Sequence, residues 1–286
     1  MLQNRATLKQ IRFRLLSELR QIYTENESDS MVRLIMEHLG YSLNQALLDP
    51  SHVPVPSVNE KIEGIIADIL RGMPIQYILG HTSFCDLDIS VNGGVLIPRP
   101  ETEEMVEHIK TMLRVPVHRI IDLGTGSGCM ALALKSHFRD AEVWGVDLSR
   151  EALLVAGENG RNNKLKVLWK EMDLLKMPPG DRLPFFDLVV SNPPYVLKSE
   201  AGLMAAHVRD FEPASALFVE DHDPLVFYKA IASFSRGQLT RDGEVWVEIN
   251  ERFGKQTARI FEEEGFGKTS IIKDIHNKER YVRVCR

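Results

Sequence analysis

Cysteine is scarce in this chain: three in 286 residues, Cys85, Cys129 and Cys285, far apart and never paired as C-x-x-C. That count excludes a disulfide framework or a cysteine-built zinc cluster and suits a reducing cytoplasm. Positive charge is not in excess either. Lys and Arg number 35 against 40 Asp and Glu, for a net charge of −5, so there is no global electrostatic footprint for nucleic acid. No apolar run approaches the roughly 20 residues that cross a bilayer, which argues against a membrane partner. Met1 to Arg20 mixes charged and apolar residues, with neither a signal-peptide core nor a transit peptide. Internal repeats and low-complexity segments are missing too. What is present is ordinary globular composition, 44% hydrophobic and 26% charged, in a chain long enough for one large or two modest domains. A cytoplasmic enzyme is the expectation.

The first stretch reads as helical. Leu8, Ile11, Leu15, Leu19 and Ile22 recur at three- and four-residue steps and define one apolar face. A second helix is expected from near Asp29 to Leu39, stopped by Gly40. Ser57 with Glu60 reads as a capping box opening a third, which carries Ile62, Ile65, Ile66 and Ile69 and closes at Gly72 and Pro74. Three short runs follow, Ile75 to Leu79, Cys85 to Val91 and Val95 to Ile97, read as extended and forming a β-hairpin linker. The expected divisions are therefore residues 1–74, helical; 75–97, hairpin linker; and 98–286, catalytic. After Pro98 to Glu103 a helix carries Met105, Val106, Ile109 and Leu113. Then strand and helix alternate, with strands at Arg119 to Leu123, Val143 to Val146, Leu165 to Trp169, Asp187 to Ser191 and Val245 to Ile249. Thr269 to Ile272 and Tyr281 to Val284 close the chain as a pair. The fold class is α/β: a Rossmann-like, mostly parallel sheet covered by helices.

Open α/β sheets bind ligands beyond the carboxyl ends of their strands. Gly124-Thr125-Gly126-Ser127-Gly128 stands there, after the first strand of the repeat, and Asp147 ends the next strand at the distance where a carboxylate meets ribose hydroxyls. A dinucleotide needs G-x-G-x-x-G to seat its pyrophosphate. This loop is G-x-G-x-G, and Asp122 just before it would repel pyrophosphate while suiting the cationic sulfonium and ammonium of S-adenosylmethionine. Asp173, after the third strand, is a candidate acceptor for the adenine amine.

Asn192-Pro193-Pro194-Tyr195 follows the fourth strand. Two prolines stiffen the loop and remove backbone donors, while the carbonyls stay free to accept. A planar NH2 group offers two donors, which an Asn oxygen and a proline carbonyl can hold while the nitrogen faces a methyl group. Tyr195 is expected to stack on the planar target. The residues thus point to S-adenosylmethionine-dependent methylation of a planar nitrogen, with no metal, and do not by themselves choose between a carboxamide and a base amine.

With Gly72 to Gly80, Leu96-Ile97-Pro98-Arg99-Pro100-Glu101-Thr102-Glu103, Asp122 to Gly128, Ser191 to Tyr195, Phe211-Glu212-Pro213 with Ala216-Leu217, and Asp274 to Arg280, the chain resembles the release-factor glutamine methyltransferases, the HemK/PrmC-like family, over nearly its whole length. The resemblance implies a helical N-terminal domain, expected to dock release factor, and a sheet whose last strand is antiparallel. It implies methyl transfer to the side-chain amide (N5) of the glutamine in the Gly-Gly-Gln motif of class 1 peptide chain release factors, with S-adenosyl-L-homocysteine as product. Carried over by position, Gly124 to Gly128 and Asp147 hold the donor, Leu174 lies beside its adenine, and Asn192 to Tyr195 take the glutamine amide. Leu96 and Ile97 wall the adenosine, and Arg99 and Glu103 organise the mouth. Leu174 stands where the family often has an aromatic residue, and Asn277 where a turn often has glycine. The alternative is an N6-adenine or N4-cytosine nucleic-acid methyltransferase, which must flip a base and hold phosphates. The acidic balance and the lack of a basic recognition domain count against a direct nucleic-acid substrate.

Overall fold

The structure is a computed structural model describing residues 6–113, 116–176 and 183–286. Contacts divide it into two compact units, Met1–Gly80 and His81–Arg286.

Among the described residues the first unit holds five helices: α1 (Leu8–Leu19), α2 (Glu25–His38), α3 (Leu43–Leu48), α4 (Pro56–Leu70) and α5 (Ile75–Leu79). Leu8, Ile11, Leu15 and Leu19 are buried as their spacing demands, and they share one core with Ile35 and Met36 of α2 and with Ile62, Ile65, Ile66 and Ile69 of α4. Ile22 lies past the end of α1 and is half exposed. Thr24 forms a capping box with Glu27, so α2 starts at Glu25 rather than near Asp29. Gly40 ends α2 at φ +86°, and the Tyr41 amide reaches back to the Met36 carbonyl at 2.9 Å. The box expected at Ser57 does not form. Helix α4 opens earlier, with Pro56 in its first turn and no side-chain cap, because proline's fixed φ suits a helix start where its missing N–H is no loss. Ile75–Leu79, expected to be extended, is helical. Ile75 and Leu79 sit four apart and are both buried, and Gly80 closes the turn at φ +79°.

The second unit opens with a hairpin, β1 (His81–Phe84) and β2 (Leu87–Ser90). Cys85 and Asp86 are its turn, both left-handed at φ 47° and 62°, as a two-residue hairpin loop requires. The run expected from Cys85 therefore starts at Leu87, and Val95 to Ile97 is irregular rather than a strand. Next come α6 (Pro100–Met112), β3 (Arg119–Leu123), α7 (Cys129–His137), β4 (Glu142–Asp147), α8 (Arg150–Asn162), β5 (Leu168–Glu171), β6 (Phe186–Ser191), β7 (Val196–Leu197), α9 (Ala206–Phe211), α10 (Ala214–Leu217), β8 (Phe218–Val219), α11 (Val226–Gln238), β9 (Leu239–Glu248), α12 (Gly254–Glu263), β10 (Lys268–Lys273) and β11 (Glu279–Cys285). The buried Asn159 of α8 ties the hairpin down, accepting from the Ser90 amide at 2.7 Å and donating to its carbonyl at 3.0 Å.

Among the described residues seven strands form one sheet in the order β10-β11-β9-β6-β3-β4-β5. The pairs from β9 through β5 are parallel, and β11 runs antiparallel to both neighbours. β3 and β6 are buried on both faces over most of their length, with apolar centres at Ile120-Ile121 and Leu188 to Val190. Helices α6, α7 and α8 neighbour one another in sequence, and α11 neighbours α12. The largest buried side chains of the second unit include Trp246, Tyr228, Tyr281 and Phe186. From β3 the chain steps outward to β4 and β5, then returns to the other side of β3 as β6. That reversal opens a crevice at the carboxyl ends of β3 and β6. The β10–β11 turn holds Asn277 at φ 63°, the left-handed region that Asn tolerates. Among the described residues no helix is long and apolar enough to cross a membrane.

Candidate active site

The loop after β3 bends through three left-handed glycines, with φ of 75° at Gly124, 55° at Gly126 and 81° at Gly128, a region only glycine enters without penalty. A Cβ on Gly124 or Gly126 would meet nothing within 4 Å, whereas one on Gly128 would come within 2.8 Å of the Trp169 ring. The first two glycines thus face open space, and the third packs the loop against its support. The amides of Gly124 and Thr125 both donate to the Val146 carbonyl at 2.9 Å. Asp147 completes the hold: Oδ2 accepts from the Gly126 amide at 2.8 Å and Oδ1 from the Ser149 amide at 2.9 Å. Each of its oxygens keeps a lone pair for a further donor.

Asp122 was expected to face a cationic donor, and it does not. Its side chain is fully buried beneath the loop, accepting from the Thr125 hydroxyl at 2.6 Å. Burial pushes its carboxyl up to about 7, against the pull of that hydroxyl and of the Ala131 amide. Its other oxygen has no partner of acceptable hydrogen-bond geometry. Asp122 braces the loop from below.

A cleft of about 240 Å³ opens at the crevice. Gly124, Gly126 and Asp147 line it together with Asn192, Pro193 and Pro194, and so do Leu96, Asp173 and Leu174. Thr125, Ser127, Gly128, Tyr195, Ile97, Arg99 and Glu103 are not in the lining. Met172, Leu175 and Phe227 add apolar surface. Asp173 Oδ1 accepts from the Leu175 amide at 3.0 Å, and Oδ2 pairs with Lys176 at 3.3 Å.

Ile97 and Arg99 are held by Glu212, whose side chain is fully buried: its Oε1 meets Arg99 Nη2 at 2.6 Å and its Oε2 accepts from the Ile97 amide at 3.2 Å. This joins the Leu96 wall to the Pro213 wall. Glu103 faces away from the mouth and accepts from the Cys85 amide at 2.7 Å, pinning the hairpin turn.

Behind the tetrad lies a polar network that sequence reasoning missed. Asn192 Nδ2 donates to Thr102 Oγ1 at 2.9 Å, Thr102 Oγ1 donates to Glu248 Oε2 at 2.7 Å, and the Tyr195 hydroxyl donates to Glu248 Oε1 at 3.0 Å. Tyr195, expected to stack on a target, packs against the sheet core. Burial, then the nearby Glu248 carboxylate, holds its phenol well above the usual range. Burial also raises the Glu248 carboxyl, opposed by the Thr102 and Tyr195 hydroxyls and the Arg280 charge. The available signal was a carboxylate ending an apolar strand, Val245 to Glu248, at the crevice edge. Among the described residues no group of three or more His, Cys, Asp or Glu side chains is placed to hold a metal ion.

Comparison with known proteins gives this geometry a family. Residues 12–80 match the PrmC N-terminal domain and residues 101–217 the Methyltransferase small domain. A release factor glutamine methyltransferase of Flavobacterium psychrophilum is 35% identical over 97% of this chain and 98% of its own. One of Bacteroides thetaiotaomicron is 36% identical over 94% and 96%. The chain belongs to the release factor glutamine methyltransferase family. The fold agrees: a methyltransferase from Pyrococcus furiosus superposes with a TM-score of 0.53 at 18% identity, covering 81% of this chain and 98% of that one. A T. thermophilus 16S rRNA N2 G1207 methyltransferase, solved with AdoMet and guanosine, gives 0.52 at 19%, covering 72% and 49%. The chain is therefore an S-adenosylmethionine-dependent methyltransferase with a Rossmann-like sheet.

Proposed function

We propose that this chain methylates the side-chain amide nitrogen of the glutamine in the Gly-Gly-Gln motif of class 1 peptide chain release factors, releasing S-adenosyl-L-homocysteine. The observation that carries the reading is continuity: one cleft of about 240 Å³ runs from the glycine loop and Asp147 to Asn192, Pro193 and Pro194. The family names of the relatives support the glutamine as target.

The cradle fits S-adenosylmethionine. Gly124 and Gly126 leave room for a ligand against the backbone, Asp147 keeps lone pairs for the ribose hydroxyls, and Met172, Leu174 and Leu175 offer apolar cover to an adenine. Asp173 stands beside them with acceptor capacity for an amine. When bound, the donor supplies a methyl group on a positively charged sulfur. The protein's own part is positional. Asn192 Oδ1 and a carbonyl of the Pro193-Pro194 segment accept the two N–H bonds of the glutamine amide, holding the nitrogen toward the donor end of the cleft. These acceptors also oppose delocalisation of the nitrogen lone pair into the amide π system, because a more pyramidal nitrogen places its hydrogens better toward them. No strong base is needed, since the nitrogen becomes acidic once the C–N bond has formed and loses its proton late. Leu96 and the Arg99–Glu212 pair fix the mouth.

The test offers the purified full chain and labelled methyl donor three acceptors: a release factor, the same factor with the motif glutamine replaced, and duplex DNA. Label is expected in the intact factor only. Label in DNA, or equal label in the glutamine-replaced factor, would overturn the proposal.

A further inference from the structure

Asn192 can offer the cleft either of two opposite faces, an acceptor or a donor, because its amide is nearly symmetric in shape. Only the acceptor face serves an NH2 ligand. Something must choose between them, and the choice is written in the buried network behind the residue. Glu248 ends β9 and is 1% exposed; Thr102 sits in the first turn of α6 and is 3% exposed. Two hydroxyls converge on the Glu248 carboxyl, Thr102 at 2.7 Å and Tyr195 at 3.0 Å. The two carboxyl oxygens each accept one of these bonds, so each hydroxyl spends its single hydrogen there. Thr102 Oγ1 then has only lone pairs left, and the atom of Asn192 that meets it at 2.9 Å must be the donor Nδ2. Oδ1 is the atom left for a cleft ligand.

We infer that the Glu248–Thr102 pair sets the orientation of the Asn192 amide, making Thr102 a positioning residue for methyl transfer. The inference rests on the proposed role of Asn192 as the amide acceptor and deepens it. Thr102 touches neither substrate nor donor; it acts through Asn192. The relay spans three separate elements, the start of α6, the end of β6 and the end of β9, and it is rigid because the two inner members are buried. The parallel register that pairs Ser191 with Val247 sets Asn192 and Glu248 at adjacent strand ends. Tyr195 extends the same logic, so the tetrad's last residue supports its first through a shared carboxylate. That explains an aromatic residue with a hydroxyl at a position facing the core.

Three variants test this. Thr102→Val keeps the shape and removes the acceptor for Asn192 Nδ2. Its kcat toward release factor is expected to fall about 10- to 100-fold, with the KM for the factor within about threefold. Thr102→Ser keeps the hydroxyl and is expected to recover kcat to within about threefold of wild type. In an Asn192→Ala background Thr102→Val should add less than about twofold, since the residue it acts through is gone. Affinity for S-adenosyl-L-homocysteine, unchanged within about twofold in Thr102→Val, certifies that the variant is folded and the donor end intact. Should Thr102→Val not fold, Thr102→Ala and the Ser variant carry the same comparison. An unchanged kcat in a folded hydroxyl-less variant, or a full additional loss in the Asn192→Ala background, overturns the inference while wild-type methylation stands. A wild-type chain that leaves release factor unlabelled overturns the functional reading itself.

Discussion

Asp147→Ala should separate donor binding from chemistry. In the wild type, the carboxylate accepts from the Gly126 and Ser149 amides at 2.8 and 2.9 Å and keeps a lone pair on each oxygen for the ribose. A hydrogen bond to a charged group contributes about 1.5–3 kcal/mol. Two such bonds from ribose hydroxyls, discounted for non-additivity, give about 2–4 kcal/mol of donor affinity, or roughly 30- to 1,000-fold in Kd. The loop suffers as well, because two amides lose their acceptor, at about 1–3 kcal/mol for each that stays buried. Titration calorimetry with S-adenosyl-L-homocysteine is the assay, paired with kcat at saturating donor. The expected result is a Kd weakened by at least about 30-fold and a kcat within about fivefold. A variant that binds the product within about threefold of wild type refutes the assignment of Asp147 and, with it, the placement of the donor at that end of the cleft.

Asn192→Ala should do the reverse, lowering kcat by about 100-fold or more while product affinity moves less than about twofold; parallel loss of both would show that Asn192 serves the donor instead. Gly128→Ala combines a left-handed φ of 81° with a Cβ 2.8 Å from Trp169, so urea unfolding should show about 2–4 kcal/mol of destabilisation, and an unshifted midpoint would contradict the packing described. For Asp122 the folded carboxyl titrates near 7, above its ordinary value of 3.8. The folded state therefore binds the proton more tightly, and the stability from this group, present below pH 4, is lost as pH rises through about 7. Urea midpoints at pH 5 and pH 8 should fall more in wild type than in Asp122→Asn; equal falls would place Asp122 in water.

Most of this could be read along the chain because buried parallel strands are mostly apolar, and their chemistry sits where they stop. Asp147, the Ser191-Asn192 pair and the glycine loop each stand at the carboxyl end of such a strand. What escaped was decided by residues distant in sequence. Cys85 and Asp86 carry only a partial turn signal, since Asp enters the left-handed region readily but cysteine does not; their turn is held by Glu103. Ile75–Leu79 is too short for its period to tell helix from strand, and backbone bonds four residues apart, Ile78 to Pro74 at 3.2 Å and Gly80 to Gln76 at 2.8 Å, settle it. Thr102 meets Glu248 across 146 residues, a pairing created only when α6 lands beside β9. Asp122 looked like a ligand to a cation because an acid before a glycine loop reads by charge; the fold turns it inward, where burial rather than a ligand sets its chemistry.

Where the methyl group goes decides the function. Unmethylated release factor, incubated with the full chain and S-adenosylmethionine, digested and sequenced by fragmentation mass spectrometry, gives that position directly. One methylene-mass increment is expected, confined to the side chain of the Gly-Gly-Gln glutamine and absent with Asn192→Ala. An increment on any other residue, or no increment while the chain remains folded and binds S-adenosyl-L-homocysteine, would contradict it.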